Sequence, residues 1–540
     1  MKRHTILSVL FLLSAYFAVG QTFTAEYYKK ALWMTTRFYG AQRSGNGHNW
    51  LIADHEPTKV ADNLTGNLKN FVKGQDFVKD ADGSYDLTGG WFDCGDNAKF
   101  GQTEFYSGYM LSLAYSEFPD GFDDYYSQDY IGYRTAKDYS WEGGKGVPNG
   151  IPDILDELKY ATDFFMKCIR DKSTFYYEVG NDGYDHAIWC TSPVKATLSR
   201  AQGGEADGSR PVQKKSGSTT SMTSLCGATL ANMARCYKKF DPDYAAQCLS
   251  KAIVAYEYVT STTKGNTACS NASIYPAKSK YEPDLVILCM ELYRATGNKT
   301  YLTAAQGYSS WMASEGGYNH YYTLCYNNTE DLACYLMAVY GAGEQQVNAK
   351  KAMDFYIKLY KPSSGFILNV KHGDWGELRF PANQAFLYGL YEKHINKNGT
   401  TINPYSAGTV DYILGDNNKN FSFVVGLGNS SPEWPHHRNY YHLDNNSENN
   451  LAKVTDPLNG VKGLRQLGYM VGGKLNPGSY SDDEKSYTSS EGGIDYNAGL
   501  VGAIAYINSV KSPVDTNKFG HPTPDLGGEK TLCGTGSVTI

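Results

Sequence analysis

Apolar residues recur at three- and four-residue steps through most of the chain, the spacing that gathers them on one face of a helix. In 151–170 the stripe is Ile151, Ile154, Leu155, Leu158, Ala161, Phe164, Phe165 and Cys168, with Pro152 suited to the first turn. Comparable runs cover 25–44, 105–118, 221–239, 244–261, 284–297, 300–313, 330–341, 348–360, 382–395, 405–415 and 497–511. Together they predict about twelve helices, several paired through short turns such as TGNKT at 296–300. Alternation at period two is rare, and FSFVV at 421–425 is the best strand candidate. Long polar loops fall at 119–150, 171–220 and 428–495, a length that in compact domains usually serves function. No low-complexity linker divides the chain, so 21 to about 511 reads as one all-α domain and the Pro/Gly-rich 512–540 as an extended tail. Paired helices with long loops suggest a helical toroid; periodicity alone does not separate that from an irregular bundle.

Composition narrows the functional classes. A net charge of −6 and a pI near 6.0 argue against nucleic-acid or anionic-membrane partners, which demand a basic face. The 45 Tyr offer flat faces suited to sugar rings, although most such residues simply fill helix interfaces. Lys2, Arg3 and His4 precede an apolar run, Ile6 to Val19, and Ala18 and Gly20 form a small-x-small cleavage site. That is a signal peptide over 1–20, so the mature protein is expected to be soluble, secreted and extracellular. Eleven Cys permit disulfides there, but Cys226, Cys236, Cys289 and Cys334 fall on apolar helix faces, where buried free thiols fit equally well. Eight Asn-x-Ser/Thr sequons, the first at Asn63, are compatible with surface glycosylation.

Three segments carry candidate chemistry. DLTGGWFDCGDNAKFGQTEFYSGYML (86–111) sets Asp93 and Asp96 three apart in a Gly-rich turn ahead of a helix. Close carboxylates raise each other's proton affinity, and one can hold a water while the other takes its proton. An Asp there also makes an ordinary helix cap. SPEWPHHRNYYH (431–442) concentrates two His and an Arg among aromatics; zinc would need further ligands at suitable spacing, so hydrogen bonding to a sugar or carboxylate is the better fit. GSYSDDEKSYTSSEGGIDYNAGLVGA (478–503) places Asp482, Asp483 and Glu491 before an apolar helix.

In combination these segments resemble glycoside hydrolase family 9, the inverting cellulases. GGWFDCGD (89–96) is similar to the family's Gly-Gly-Trp-Tyr-Asp-Ala-Gly-Asp turn, and PHHR (435–438) to its Pro-His-x-Arg signature. Tyr480, Asp482, Tyr487, Glu491 and DYNA (495–498) meet its acid motif. NGIPDILDELKYATDFF (149–165), DGYDHAIW (182–189), LYRATG (292–297) and WGELRFPANQAFL (375–387) agree in the family's order. The resemblance implies an (α/α)6 toroid with an open cleft and a secreted endo-β-1,4-glucanase. It implies Asp96 as general base, Asp93 holding the attacking water, and Glu491 as general acid. Sugar-gripping positions map onto His186, Trp189, Trp375, Arg379, His436, Arg438, Asp482 and Tyr496, with Arg438 expected to pair with Asp482.

Departures qualify the picture. Cys94 replaces an Ala of the turn, Glu484 an Arg, and Gly493 the Ala two after the acid. Where many members bind calcium the chain reads SKYEPD (279–284), with Lys278 just upstream in place of a Trp. Pro283 cannot ligate through its side chain, so structural calcium is doubtful and no cofactor is expected to be required. The expected partner is β-1,4-glucan (cellulose or cellooligosaccharides), with no nucleic acid and no membrane, and the expected state is a monomer. No separate cellulose-binding module is visible, which favours soluble or amorphous glucan. An exo-acting or oligosaccharide-trimming member, or a non-catalytic glucan-binding protein on the same scaffold, are the alternatives.

Overall fold

The computed structural model describes residues 23–44, 80–125, 148–187, 199–202, 204, 208, 210–269, 274–314, 317, 323–362, 373–438 and 468–520. The signal peptide, Trp189 and residues 521–540 lie outside the described residues.

Among the described residues, twelve helices of ten or more residues match the twelve expected from periodicity. They are α1 Ala25–Ala41, α2 Gly101–Glu117, α3 Asp153–Cys168, α4 Thr220–Cys236, α5 Pro242–Ser261, α6 Glu282–Thr296, α7 Lys299–Tyr308, α8 Glu330–Tyr340, α9 Gly343–Leu359, α10 Arg379–His394, α11 Pro404–Leu414 and α12 Ile494–Lys511. Two sequence types alternate. The even-numbered helices are buried nearly all round: every residue of α2 except Ser116 is buried, as is α12 from Ile494 to Asn508. Most odd-numbered ones bury a stripe, as in α5, where Tyr244, Ala245, Cys248, Ala252, Ala255, Tyr258 and Val259 face inward; α1 is the exception, buried without a break from Ala31 to Ala41. A helix apolar on every side must be enclosed, whereas a striped one can cover it.

The contacts follow from that difference. α2, α4, α6, α8, α10 and α12 each pack on the next, and α12 returns to α2, closing an inner ring. The odd-numbered helices cover it outside, α1 lying on α12 and α3, α3 on α2, α5 on α4, α7 on α6, α9 on α8 and α11 on α10. The fold is the (α/α)6 toroid. Short connections build the hairpins: Gly297 closes α6 in a left-handed conformation, and Asn298 then caps α7 by accepting the Thr300 N–H at 3.0 Å. Because inner and outer helices alternate, all six inner helices run in the same direction and start at one end of the ring.

The loops hold more structure than their polarity suggests. The stretch 171–220 contains strands Phe175–Val179 and Val212–Lys215, which join Lys99–Phe100 in a three-stranded antiparallel sheet. Lys99 faces Val179 and Phe100 faces Glu178, tying this loop to the segment that follows the Asp93–Asp96 turn. The candidate strand 421–425 forms no ladder of its own; it contributes one bridge, Val424 to Met470. The start of the expected tail is anchored: Val514 N–H donates to Asp120 O at 2.8 Å and Gly520 N–H to Gly150 O at 2.7 Å. Nine cysteines among the described residues are free thiols, eight of them buried. No helix among the described residues is long and apolar enough to cross a membrane.

Candidate active site

The three chemistry-bearing segments meet at the end where the inner helices begin, and they meet on one residue, Gly95. Its N–H donates to Glu491 Oε1 at 3.3 Å, although the two residues are 396 positions apart. Its carbonyl accepts from the Arg438 backbone N–H at 3.0 Å and from Arg438 Nη1 at 3.1 Å. A β-carbon on Gly95 would stand 2.5 Å from the His436 carbonyl, so only glycine lets the 435–438 loop lie on the turn. The Ile494 N–H, at the start of α12, donates to the Asp93 carbonyl at 3.0 Å and locks the acid segment against the same turn.

Asp93 is buried at the foot of the turn. Thr103, from α2, and Tyr275 both donate hydroxyl hydrogen bonds to its carboxylate, and Cys94 Sγ lies 3.2 Å from Oδ2. Burial, then the neighbouring Asp96 and Asp495, push Asp93 up to about 8, while the Thr103 and Tyr275 donors pull the other way. Asp96 is 5% exposed and accepts the Ala98 N–H at 3.0 Å. Burial and then Asp185 raise its proton affinity, opposed by His186, Arg438 and the Ala98 amide. Glu491 is pushed up to about 8 by burial first and by Asp96 next, against the Gly95 N–H and Arg438. A proton on Glu491 at neutral pH gives this carboxyl the form a general acid needs. The three carboxyls share one field, so they titrate as a set.

The remaining expected positions separate into two layers. Trp375 is 42% exposed, and its ring lies 5.1 Å from that of Tyr487, itself 48% exposed. These two form an aromatic platform, with the His436 ring 5.9 Å from Tyr487. His436 is held by the Glu484 carbonyl, 2.6 Å from Nδ1, and burial pulls it down to about 4, so it is neutral at physiological pH. His186 is exposed on the single turn after Phe175–Val179, its Nδ1 2.7 Å from Asp182 O. Arg379 and Tyr496 lie beneath: Arg379 Nη1 donates to Asp495 at 2.9 Å, and its guanidinium sits 5.0 Å from the Tyr496 ring centroid.

The expected Arg438–Asp482 pair is not formed. Among the described residues Arg438 faces Asp185 at 3.9 Å. Asp482 instead accepts the Glu433 and Trp434 N–H groups at 2.8 and 3.0 Å, so it holds the entry to the 435–438 loop. Hydrogen bonds from backbone amides to a carboxylate are charge-assisted and strong, which accounts for this placement of Asp482.

Sequence reasoning missed three participants, Thr103, Tyr275 and Asp185, and gave His437 no role beyond being one of the two His of the 431–442 segment. His437 Nε2 lies 2.9 Å from Gln42 Oε1, and the Gln42 amide donates to Cys94 O at 2.7 Å, so this buried imidazole braces the turn. Burial, then Arg438 and His436, pull it down to about 3 and keep it neutral. Asp185 stood in plain view within DGYDHAIW, while Thr103, one turn into the helix after the Asp pair, was the only one with a spacing signal.

A double ring of helices that gathers three buried carboxyls of raised proton affinity at one end, with aromatic faces beside them, has the equipment of the two-carboxylate class of glycoside hydrolases. The chain belongs to glycosyl hydrolase family 9, whose sequence model matches residues 28–504. It is 33% identical over 450 residues to Endoglucanase A of Fibrobacter succinogenes, covering 80% of this chain and 90% of that one. Endoglucanase B of Cellulomonas fimi is 28% identical over 517 residues; the match takes in 92% of this chain but 43% of that protein's length. Among solved structures, the cellulase Cel9M of C. cellulolyticium in complex with cellobiose superposes with a TM-score of 0.65 at 25% identity, over 89% of this chain and 97% of that one. The protein is therefore a glycoside hydrolase whose relatives are endoglucanases.

Proposed function

We propose that this protein is a secreted endo-β-1,4-glucanase that hydrolyses its substrate with inversion, acting as a monomer. Asp96 takes the proton from the attacking water, Asp93 holds that water, and Glu491 protonates the departing glycosidic oxygen. The observation that carries the proposal is the hydrogen bond from Gly95 to Glu491, which ties the acid to the residue preceding the base. The raised proton affinity of Glu491 supports its role, and the Trp375–Tyr487 platform suits stacking against glucosyl rings. An inverting pair needs room for water, with carboxyl groups roughly 6.5–9.5 Å apart.

The reading includes no calcium requirement. The doubtful segment holds an internal cation: Lys278 Nζ lies 2.6 Å from Asp284 Oδ2, and Thr329 donates to Asp284 Oδ1 at 2.5 Å. Both carboxylate oxygens are thus engaged and Pro283 offers none, so these residues do not fit a calcium ion. Activity is expected to survive chelation.

Hydrolysis of cellopentaose followed by proton NMR tests the mechanism. Fresh α-anomer is expected, and β-anomer would overturn inversion. On carboxymethylcellulose, viscosity should drop well ahead of reducing-sugar release; parallel curves would indicate exo action. Binding of cellooligosaccharides without any sugar release would leave a glucan-binding protein and end the enzyme reading.

A further inference from the structure

The mechanism above leaves one buried carboxylate beside the base without a task. Asp185 closes the single turn Asp182–Asp185 that follows the strand Phe175–Val179, and it is 1% exposed. Its Oδ2 accepts the Asn97 N–H at 3.1 Å. The same oxygen lies 3.9 Å from Arg438 Nη1, which donates to the Gly95 carbonyl at 3.1 Å. Two peptide groups join Asp96 to the chain. Arg438 holds the first through the Gly95 carbonyl, and Asp185 holds the second through the Asn97 N–H. The Asn97 carbonyl is in turn bonded by Arg210 Nη2. Asp96 therefore hangs between two clamps whose opposite charges face each other.

We infer that Asp185 is a positioning residue for the reaction: it fixes the Asp96–Asn97 peptide and, facing Arg438, sets a second carboxylate beside the proposed base. The inference rests on the assignment of Asp96 as base. A hydrogen-bond role alone would not call for a charge. The carbonyl of an Asn would accept the same N–H without adding a second buried anion next to Asp96, an arrangement that raises the free energy of the folded state. The groups facing Asp96 are Asp185 and His186 from this turn, Arg438 from the 435–438 loop, Glu491 ahead of α12, and Asp93 from its own turn. Of these, Asp185 is the largest contributor after burial, and it acts to raise the proton affinity.

The test is the pH dependence of kcat and kcat/KM on a soluble β-1,4-glucan for the full-length protein and its Asp185→Asn, Asp185→Ala and Asp96→Asn variants. Asp185→Asn keeps the acceptor and removes the charge. Its acid limb is expected to move to lower pH by about half a unit or more, with kcat falling because the base is weaker. Asp185→Ala releases the peptide as well, and kcat should fall by a further factor of roughly 10–100 that Asp185→Asn restores. An unmoved acid limb in Asp185→Asn, with Asp96→Asn inactive, overturns the inference and leaves the base assignment standing. Full activity in Asp96→Asn overturns the base assignment itself. If Asp185→Ala does not fold, the limb of Asp185→Asn still decides.

Discussion

The two ends of α2 hold buried carboxylates in opposite states. The helix has 17 residues and so spans about 25 Å. Ahead of its N-terminus lie Asp93, Asp96 and Glu491, all with raised proton affinity. Its last residue, Glu117, is as deeply buried, yet it meets Arg294 at 2.6 Å, His394 Nε2 at 2.9 Å and the Tyr340 hydroxyl at 2.8 Å. Burial alone would push Glu117 up; the His394 hydrogen bond, Arg294 and Tyr340 outweigh it and hold the carboxyl well below its usual range. Glu291 joins the same cluster through Arg235 at 3.0 Å and Arg294 at 2.9 Å. Cations at this end also complement the C-termini of the inner helices. Countercharge, not depth, separates the ends. Where the carboxylates are neutralised they serve as structure, and where countercharge falls short a carboxyl can keep the proton that acid catalysis spends.

Substitution at each end should break the comparison in a different way. Glu491→Gln and Asp96→Asn are expected to lower kcat by about 10²–10⁴ while cellooligosaccharide affinity by calorimetry survives. Near wild-type turnover in either would remove the assignment. Glu117→Gln strands Arg294 and His394, so urea unfolding should show a loss of about 3–5 kcal/mol with the pH–rate profile unmoved. A displaced profile would mean that the two ends communicate.

The ends should also titrate with opposite sign. Glu491 binds a proton in the fold up to about 8 but releases it near its ordinary value when unfolded. Between those limits the native state holds more protons than the unfolded one, so this contribution to stability falls as pH rises. Glu117 behaves in reverse: its contribution is present above the ordinary carboxylate value and fades as pH falls through its lowered folded value. Melting temperatures from pH 3 to 9 should show both arms, and Glu491→Gln should flatten only the alkaline one, worth up to about 1.4 kcal/mol per pH unit. The smallest effect concerns fit. A β-carbon on Gly493 would stand 2.9 Å from both Asp495 Oδ1 and Cys94 Sγ, so Gly493→Ala should cost about 1–3 kcal/mol. Cys94→Ala in the same chain should recover part of it, because it clears one of the two contacts and leaves Asp495 Oδ1 in place.

What the sequence revealed and concealed has a physical pattern. Most of the twelve long helices among the described residues were legible because burial of one face imposes a period near 3.6, whereas the enclosed α2 and α12 have almost no distinct apolar face and registered as sustained apolar runs of helix length. The short strands were not legible: Lys99–Phe100 spans two residues, too few for alternation to register. Asp93, Asp96 and Glu491 stood out by motif, but Tyr275 reaches Asp93 from 182 positions away, and no local spacing encodes that contact. The Arg438–Asp482 expectation failed for a related reason. Opposite charge suggested the pair, while Asp185 and two loop amides were nearer in space.

Closure of the inner ring has a consequence for how the chain comes to life. The proposed base and water-holder are synthesised early, between the first and second helices, whereas the acid precedes the twelfth, which must slot between α10 and α2. A nascent chain therefore carries half a reaction centre for nearly its whole synthesis and gains the other half only as the circle shuts. Onset of turnover would then mark the completion of folding in each molecule.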